Sequence, residues 1–332
     1  MGPLRVAVIG CGEIASVHFD AIVANRDAEL VAVCDIDAEL AARTAAQFGC
    51  AAQTNLADML TSARPDVVHI CTPHYLYAPM AITALAADVH VLMEKPLATT
   101  VSDGEAVVRA ARSSQASIGV CFQNRYNDTS EALRKLIDGA RLGRIFGGRA
   151  AVTWFRDEGY YRRRPWRGTW AQGGGGVLIN QAIHTLDLLQ WYLGEVEAVR
   201  GRAVRLSLPD SVQVEDTAAL QLRHTGGARS IFYASNGYVG DAPVSLELMA
   251  EGGTARLDTD LTVSYADGST EVTAAAQLGS GENAHWGTSH GLLIDDFYRH
   301  VRTRRPFWID PTEALKTLRI ITDVYAQSPA QR

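Results

Sequence analysis

The chain has 332 residues, 47% hydrophobic and 20% charged, with 31 basic against 37 acidic side chains and a net charge of −6. That length implies two domains of ordinary globular composition. The charge balance argues against a nucleic-acid footprint spread over the surface, and no apolar run approaches the ~20 residues of a membrane span.

Five cysteines (Cys11, Cys34, Cys50, Cys71 and Cys121) are odd in number and include no C-x-x-C pair. They read as reduced core residues, which points to the cytoplasm. The start runs almost directly into the apolar stretch Leu4–Ile9, without the marks of a secretory signal.

In chain order, the first 125 residues alternate β-rich apolar runs (5–9, 30–34, 67–71, 89–93 and 117–122) with Ala-rich stretches of helical spacing (14–24, 38–48, 79–87 and 104–111). This predicts βαβ units, a parallel sheet covered on both faces and right-handed crossovers. After about Gln123 the texture changes. A helix is predicted over 129–138, a strand over 145–155, then a loop rich in Gly, Arg and Trp, then a long amphipathic helix from Val177 to Leu193. Five or six strands follow between Glu197 and Tyr265 without intervening helices, which predicts a mostly antiparallel sheet. Two helices close the chain, about Ser289–Thr303 and Pro311–Gln327, the second with Asp310 as N-cap.

Gly10-Cys11-Gly12-Glu13-Ile14-Ala15 is a G-x-G-x-x-A directly after the first strand and opening the first helix. The first glycine makes the tight turn and the second lets backbone approach a pyrophosphate. The small third residue lets helix pack on strand, and the helix N-terminus receives negative charge. Asp35 ends the second strand, about 20 residues on, where an acid bonds the ribose hydroxyls and repels a 2′-phosphate. The cofactor is therefore expected to be NAD, with Gly10, Gly12, Glu13, Ile14, Asp35 and Ile36 as binding residues. Ligands of open α/β sheets sit at the carboxyl ends of the strands. That rule adds Thr72, Pro73, His74, Glu94, Lys95 and Gln123 toward the cofactor, and Lys95 and Arg125 toward the substrate. The fold class is α/β: a Rossmann domain with a parallel sheet over 1–125, and a C-terminal α/β domain over 126–332 whose last helices pack back on the first.

These residues resemble the glucose–fructose oxidoreductase / inositol dehydrogenase / MocA family over nearly the whole chain. The matching parts are Gly10–Ala15, Asp35, Thr72-Pro73, Glu94-Lys95-Pro96 and the segment from Gly174 to His184, which looks like the family's glycine run, helix and acid-x-x-x-His signature. The resemblance implies that the mostly antiparallel C-terminal sheet is large and open, and that homodimers or homotetramers form through it. It also implies hydride chemistry on sugars or cyclitols, and a cis bond between Lys95 and Pro96. Two positions depart from the pattern. Tyr77 stands where histidine is common, and Asn180 stands where aspartate is frequent.

Asn180, His184 and Asp187 are spaced i, i+4, i+7, one face of the predicted helix. Its entry through Gly173–Gly176 reads as room for substrate and nicotinamide at the helix start. Oxidising a secondary alcohol sends hydride to the nicotinamide and a proton to a base. His184 would take that proton, and cationic Lys95 would stabilise the charge developing on oxygen. Asn180 would orient the hydroxyl or the imidazole, and Asp187 reads as support. Lys95, Asn180 and His184 are thus the expected catalytic set, and all three are placed at the substrate. The resemblance supports the same three.

His18, His69, His90, His224 and His300 read as structural, whereas His74, His285 and His290 are close enough to ligand-bearing segments to touch ligand. No H-E-x-x-H or paired Cys/His spacing occurs, so no catalytic metal is expected. Between Trp154 and Trp170 lie three tryptophans and five arginines. Trp166 and Arg167 are substrate candidates there, but the same residue types suit a subunit interface. The expected function is an NAD-dependent sugar or cyclitol dehydrogenase or ketoreductase acting on small molecules. The family also contains a redox-neutral, NAD-dependent glycosidase class and a dinucleotide-sensing regulator. Retention of Lys95 and His184 argues against the regulator.

Overall fold

The computed structural model describes residues 2–275 and 289–328. The chain divides into two compact units, Met1–Gln123 with Gly281–Leu315, and Asn124–Ser280 with Lys316–Arg332.

In the first unit the strands β1 (Leu4–Ile9), β2 (Ala28–Cys34), β3 (Ala51–Gln53), β4 (Val67–Ile70), β5 (His90–Met93) and β6 (Ile118–Val120) form a parallel sheet of order β3-β2-β1-β4-β5-β6. The helices α1 (Ala15–Ala24), α2 (Ala38–Phe48), α3 (Leu56–Ala63), α4 (Tyr77–Ala86) and α5 (Val101–Ser113) connect them. Val6, Val8, Val67, Val68, Val91 and Leu92 are fully buried, as strands covered on both faces require. Order reverses between β1 and β4, the switch point where such sheets bind nucleotides.

The reading of the sequence places no element over 50–66, where β3 and α3 lie. A three-residue Ala-Ala-Gln edge strand and an eight-residue helix are too short for periodicity to register. The legible signal is Asn55, whose Oδ1 accepts the N–H groups of Ala57 and Asp58 and caps α3.

In the second unit α6 (Asp128–Asp138) leads to an eight-stranded sheet of order β14-β13-β12-β11-β7-β10-β9-β8. Its strands are β7 (Ile145–Thr153), β8 (Val196–Val204), β9 (Thr217–His224), β10 (Arg229–Ser235), β11 (Ser245–Ala250), β12 (Gly253–Leu257), β13 (Leu261–Tyr265) and β14 (Thr270–Thr273). β7 and β10 run parallel and the other pairs antiparallel. Burial alternates along β9 and β10, so one face is covered and the other open. β14, a polar Thr-Glu-Val-Thr edge, escapes the sequence reading.

Between β7 and β8 lie α7 (Glu158–Arg163), α8 (Trp170–Gly173), α9 (Val177–Asn180) and α10 (Ile183–Leu193), with α10 against β7. The expected Gly/Arg/Trp loop is therefore largely helical, with Asp157 capping α7 through the Tyr160 N–H. The last helices are α11 (Ser289–Thr303), which packs on α1 inside the first unit, and α12 (Pro311–Gln327). No described helix is long and apolar enough to cross a membrane.

Candidate active site

The glycine turn has the shape a dinucleotide needs. Gly10 adopts φ +88°, and a Cβ there would sit 2.8 Å from the Cys71 carbonyl carbon at the end of β4. Only glycine fits that approach. A Cβ on Gly12 would meet nothing within 4 Å, so the space beside the turn is open. The first turn of α1 carries no capping side chain and no acid, so nothing there repels a phosphate from the positive end of the helix. Glu13 and Ile14 complete this turn.

Asp35 follows β2 directly. Its Oδ2 accepts the Cys11 N–H at 2.8 Å and its Oδ1 the Asp37 N–H at 2.9 Å. The carboxylate therefore fixes the turn, and each oxygen keeps a lone pair for a ribose hydroxyl. Ile36 beside it is 94% exposed and offers no cation to a 2′-phosphate. These residues fit NAD. Asp35→Ser is expected to narrow the NAD-over-NADP preference in kcat/KM on the order of ten-fold, by removing a like charge. Equal use of both cofactors by the unsubstituted protein would contradict it.

At the end of β4, Thr72 and Pro73 are half-buried. His74 is buried, with its ring centroid 5.6 Å from that of buried Tyr77. After β5, Glu94 is buried and Lys95 half-buried, and the Lys95–Pro96 peptide is cis as expected. After β6, Gln123 is buried, and its Oε1 lacks a hydrogen-bond partner among the described residues. That acceptor suits a cofactor carboxamide. His285 lies outside the described residues.

The second unit carries the other expected residues. The predicted Val177–Leu193 helix is interrupted at Gln181-Ala182. The Ala182 N–H bonds the Val177 carbonyl five residues back, at 2.8 Å. This π-type turn inserts a residue, so α9 and α10 are not one continuous helix. Asn180 ends α9 and His184 stands in the first turn of α10. From Gln181 to Gln190, His184 is the one residue that is not buried.

Asn180 Nδ2 donates to the Tyr160 hydroxyl at 3.2 Å, and Gln181 Nε2 donates to the same oxygen at 3.0 Å. The Arg167 guanidinium lies 4.7 Å from the Tyr160 ring centroid and 5.5 Å from that of Trp166. Asn180, Trp166 and Arg167 are thus brought together around Tyr160, which the sequence places only in a general aromatic cluster. The other tryptophans of that segment have structural contacts. Trp154 Nε1 donates to the Ala242 carbonyl, and Trp170 Nε1 to that of Gln213.

The glycine run has a different cause from the one expected. A Cβ on Gly175 would overlap the Tyr325 hydroxyl, and one on Gly176 would overlap the Glu215 carbonyl. These glycines admit the protein's own chain. Glu215 Oε2 accepts the Gly176 N–H at 2.6 Å, and Oε1 accepts the Leu178 N–H at 3.0 Å and the Tyr325 O–H at 2.8 Å. Burial pushes Glu215 up to about 7 even with those donors pulling it down. A raised carboxyl binds its proton in the folded state first, so this group's contribution to stability falls as pH rises from about 4.5 to about 7. The stability lost in Glu215→Gln, read from urea midpoints, should therefore be larger at pH 5 than at pH 8. The reverse order would refute the shift.

Arg125, expected at the substrate, is instead closed on Asp187. Its Nε and Nη2 each donate to a carboxylate oxygen at 2.7 Å, with both side chains 1% exposed. Thr317 Oγ1 donates to the same carboxylate at 3.2 Å, and the Trp191 ring lies under the guanidinium. As to metal donors, the described residues do assemble His18, Glu94 and Cys121 within 4.8 Å. Those residues are too far apart in sequence for any spacing rule to flag.

A six-stranded parallel sheet in this order, with an open glycine turn and an acid after β2, defines a dinucleotide-binding domain. Residues 4–122 match the oxidoreductase family, NAD-binding Rossmann fold (GFO_IDH_MocA), and residues 130–256 match the GFO/IDH/MocA C-terminal domain. The chain belongs to the Gfo/Idh/MocA oxidoreductase family, and the family, the α/β class and NAD as cofactor stand as expected.

It is 34% identical to D-glucoside 3-dehydrogenase of Escherichia coli (strain K12) over 58% of this chain and 54% of that one. The chain therefore spans about half the length of that relative. It is 29% identical to D-apiose dehydrogenase of Paraburkholderia graminis over 96% of this chain and 86% of that one. Among solved structures, the WlbA dehydrogenase from Bordetella pertussis in complex with NADH and UDP-GlcNAcA is 30% identical. It superposes with a TM-score of 0.85 over 98% of this chain and 96% of that one.

Proposed function

We propose that this chain transfers hydride between NAD and a secondary alcohol or ketone of a sugar, sugar derivative or cyclitol. His184 is the acid/base, Lys95 the cation that stabilises the reacting oxygen, and Asn180 the residue that orients the substrate. The observation that carries this reading is the accessibility of His184 on a helix otherwise buried from Gln181 to Gln190. An imidazole only partly covered there can exchange a proton with a bound hydroxyl. Bound NAD supplies the hydride acceptor.

Tyr160, Trp166 and Arg167 form the substrate wall. Flat rings suit the C–H faces of a sugar, and the guanidinium suits its oxygens. The relatives named for D-glucosides and D-apiose support the substrate class. A reduced-nicotinamide absorbance screen against aldoses, inositols, uronates and 3-keto sugars, with NAD and NADP, tests it. Silence across the panel, with cleavage of a chromogenic glycoside, would replace it by the redox-neutral glycosidase reading.

We infer also that a second copy of the chain covers the open face of the eight-stranded sheet. Ile231, Tyr233 and Met249 are exposed there, and an uncovered apolar sheet face marks an interface. A monomer by light scattering would refute this. The five cysteines are free thiols, which fits the cytoplasm.

A further inference from the structure

Beneath the β5 end lies a buried polar chain that the proposed reaction does not use. Glu94 is 3% exposed, His18 and His69 are 0%, His290 is 1% and Tyr298 is 2%. Glu94 Oε1 is 3.2 Å from His18 Nε2 and 3.1 Å from His290 Nε2, and Oε2 is 3.3 Å from the Lys95 N–H. His18 Nδ1 meets His69 Nδ1 at 2.8 Å, and His69 Nε2 meets the Tyr298 hydroxyl at 2.9 Å.

An arrangement of protons with an ionised carboxylate satisfies every link. The Tyr298 O–H donates to His69 Nε2, the His69 Nδ1–H donates to His18 Nδ1, and the His18 Nε2–H donates to Glu94. His290 and the Lys95 backbone supply two more N–H donors. His18 and His69 are then neutral and the carboxylate is ionised. Burial pulls His18 and His69 below their usual range. Burial alone would raise Glu94, but the hydrogen bonds from His18 and His290 outweigh it and hold the carboxyl well below its ordinary range.

The first mononucleotide half of this sheet, with the glycine turn and Asp35, takes the adenosine end. The half built on β4, β5 and β6 is left for the nicotinamide. Glu94 follows β5, the central strand of that half. We propose that Glu94, held as a buried anion by His18 and His290, makes the site prefer the cationic oxidised nicotinamide over the neutral reduced one. In a medium of low dielectric such a charge discriminates by about ten-fold. A ten-fold preference lowers the potential of the bound two-electron couple by about 30 mV, which makes bound NADH a stronger reductant.

The test uses the whole protein and cofactor alone, so its outcome is separate from that of the sugar-dehydrogenase reading. Dissociation constants are measured calorimetrically for NAD+, for NADH and for benzamide adenine dinucleotide, a neutral isostere of NAD+. The unsubstituted protein should bind NAD+ about ten-fold more tightly than the isostere. Glu94→Gln should lose about ten-fold in NAD+ affinity and keep the other two within two-fold. Equal losses for all three ligands would mean a merely structural role, and no loss would mean that the charge is not felt; either overturns the proposal. Should the variant fail to fold, equal affinity of the unsubstituted protein for NAD+ and the isostere overturns it.

Discussion

Replacing His184 by alanine is expected to lower kcat/KM for alcohol oxidation by about 10²–10⁴-fold and to abolish the acidic limb of its pH profile. General-base catalysis contributes that much, and the limb reports the group that must be deprotonated to act. Asn180→Asp tests the neighbourhood of that base. A carboxylate nearby favours imidazolium, so the limb should move to higher pH. A limb that stays in place or moves lower would show that Asn180 does not face the base. The π-type turn at Gln181-Ala182 gives this test its force, since it changes the facing of Asn180 relative to a continuous helix. Retention of full activity in His184→Ala would remove it from the mechanism.

Arg125→Met is expected to destabilise the second unit by about 3–5 kcal/mol, because it leaves the buried Asp187 carboxylate without its cation. Urea unfolding at neutral pH should show a large drop in midpoint. Arg125→Met combined with Asp187→Leu should recover much of the loss, since a buried ion pair contributes little beyond an apolar pair of similar volume. A single variant as stable as the parent would contradict the closed ion pair. Arg125 lies at the end of a strand–turn of the kind that delivers ligand contacts, and its sequence neighbourhood carries no trace of Asp187, 62 residues on.

What was legible was local. The run from β1 through Gly10 and Gly12 into α1 shows itself because strand, turn and helix are contiguous and each glycine has a distinct geometric reason. The Lys95-Pro96 corner and His184 stand out because polar groups interrupt apolar patterns. The illegible parts depend on distant partners. Gly176 looks like room for a ligand until Glu215 is seen occupying it, and no pattern in the chain joins the two. His18 and His69 look like scattered core histidines until Glu94 and Tyr298 close the chain around them. The break after Asn180 is hidden because Val177–Leu193 keeps helical composition through the inserted residue. Short edges such as β3 and β14 carry too few side chains to impose a period.

The NAD-binding unit is stitched from two stretches of chain, Met1–Gln123 and Gly281–Leu315. A fragment ending near residue 125 would lack α11, which covers α1 and brings His290 to Glu94 and Tyr298 to His69. It would expose apolar helix surface and leave a buried carboxylate short of a donor, so it is a poor candidate for expression alone. Exchange of substrate specificity by recombination is constrained in the same way. A foreign second unit must be joined at three points, after Gln123, before Gly281 and within α12, with the helix continuing in register through the last. On the reading that Tyr160, Trp166 and Arg167 line the substrate, changing single side chains there is the shorter route to a new one.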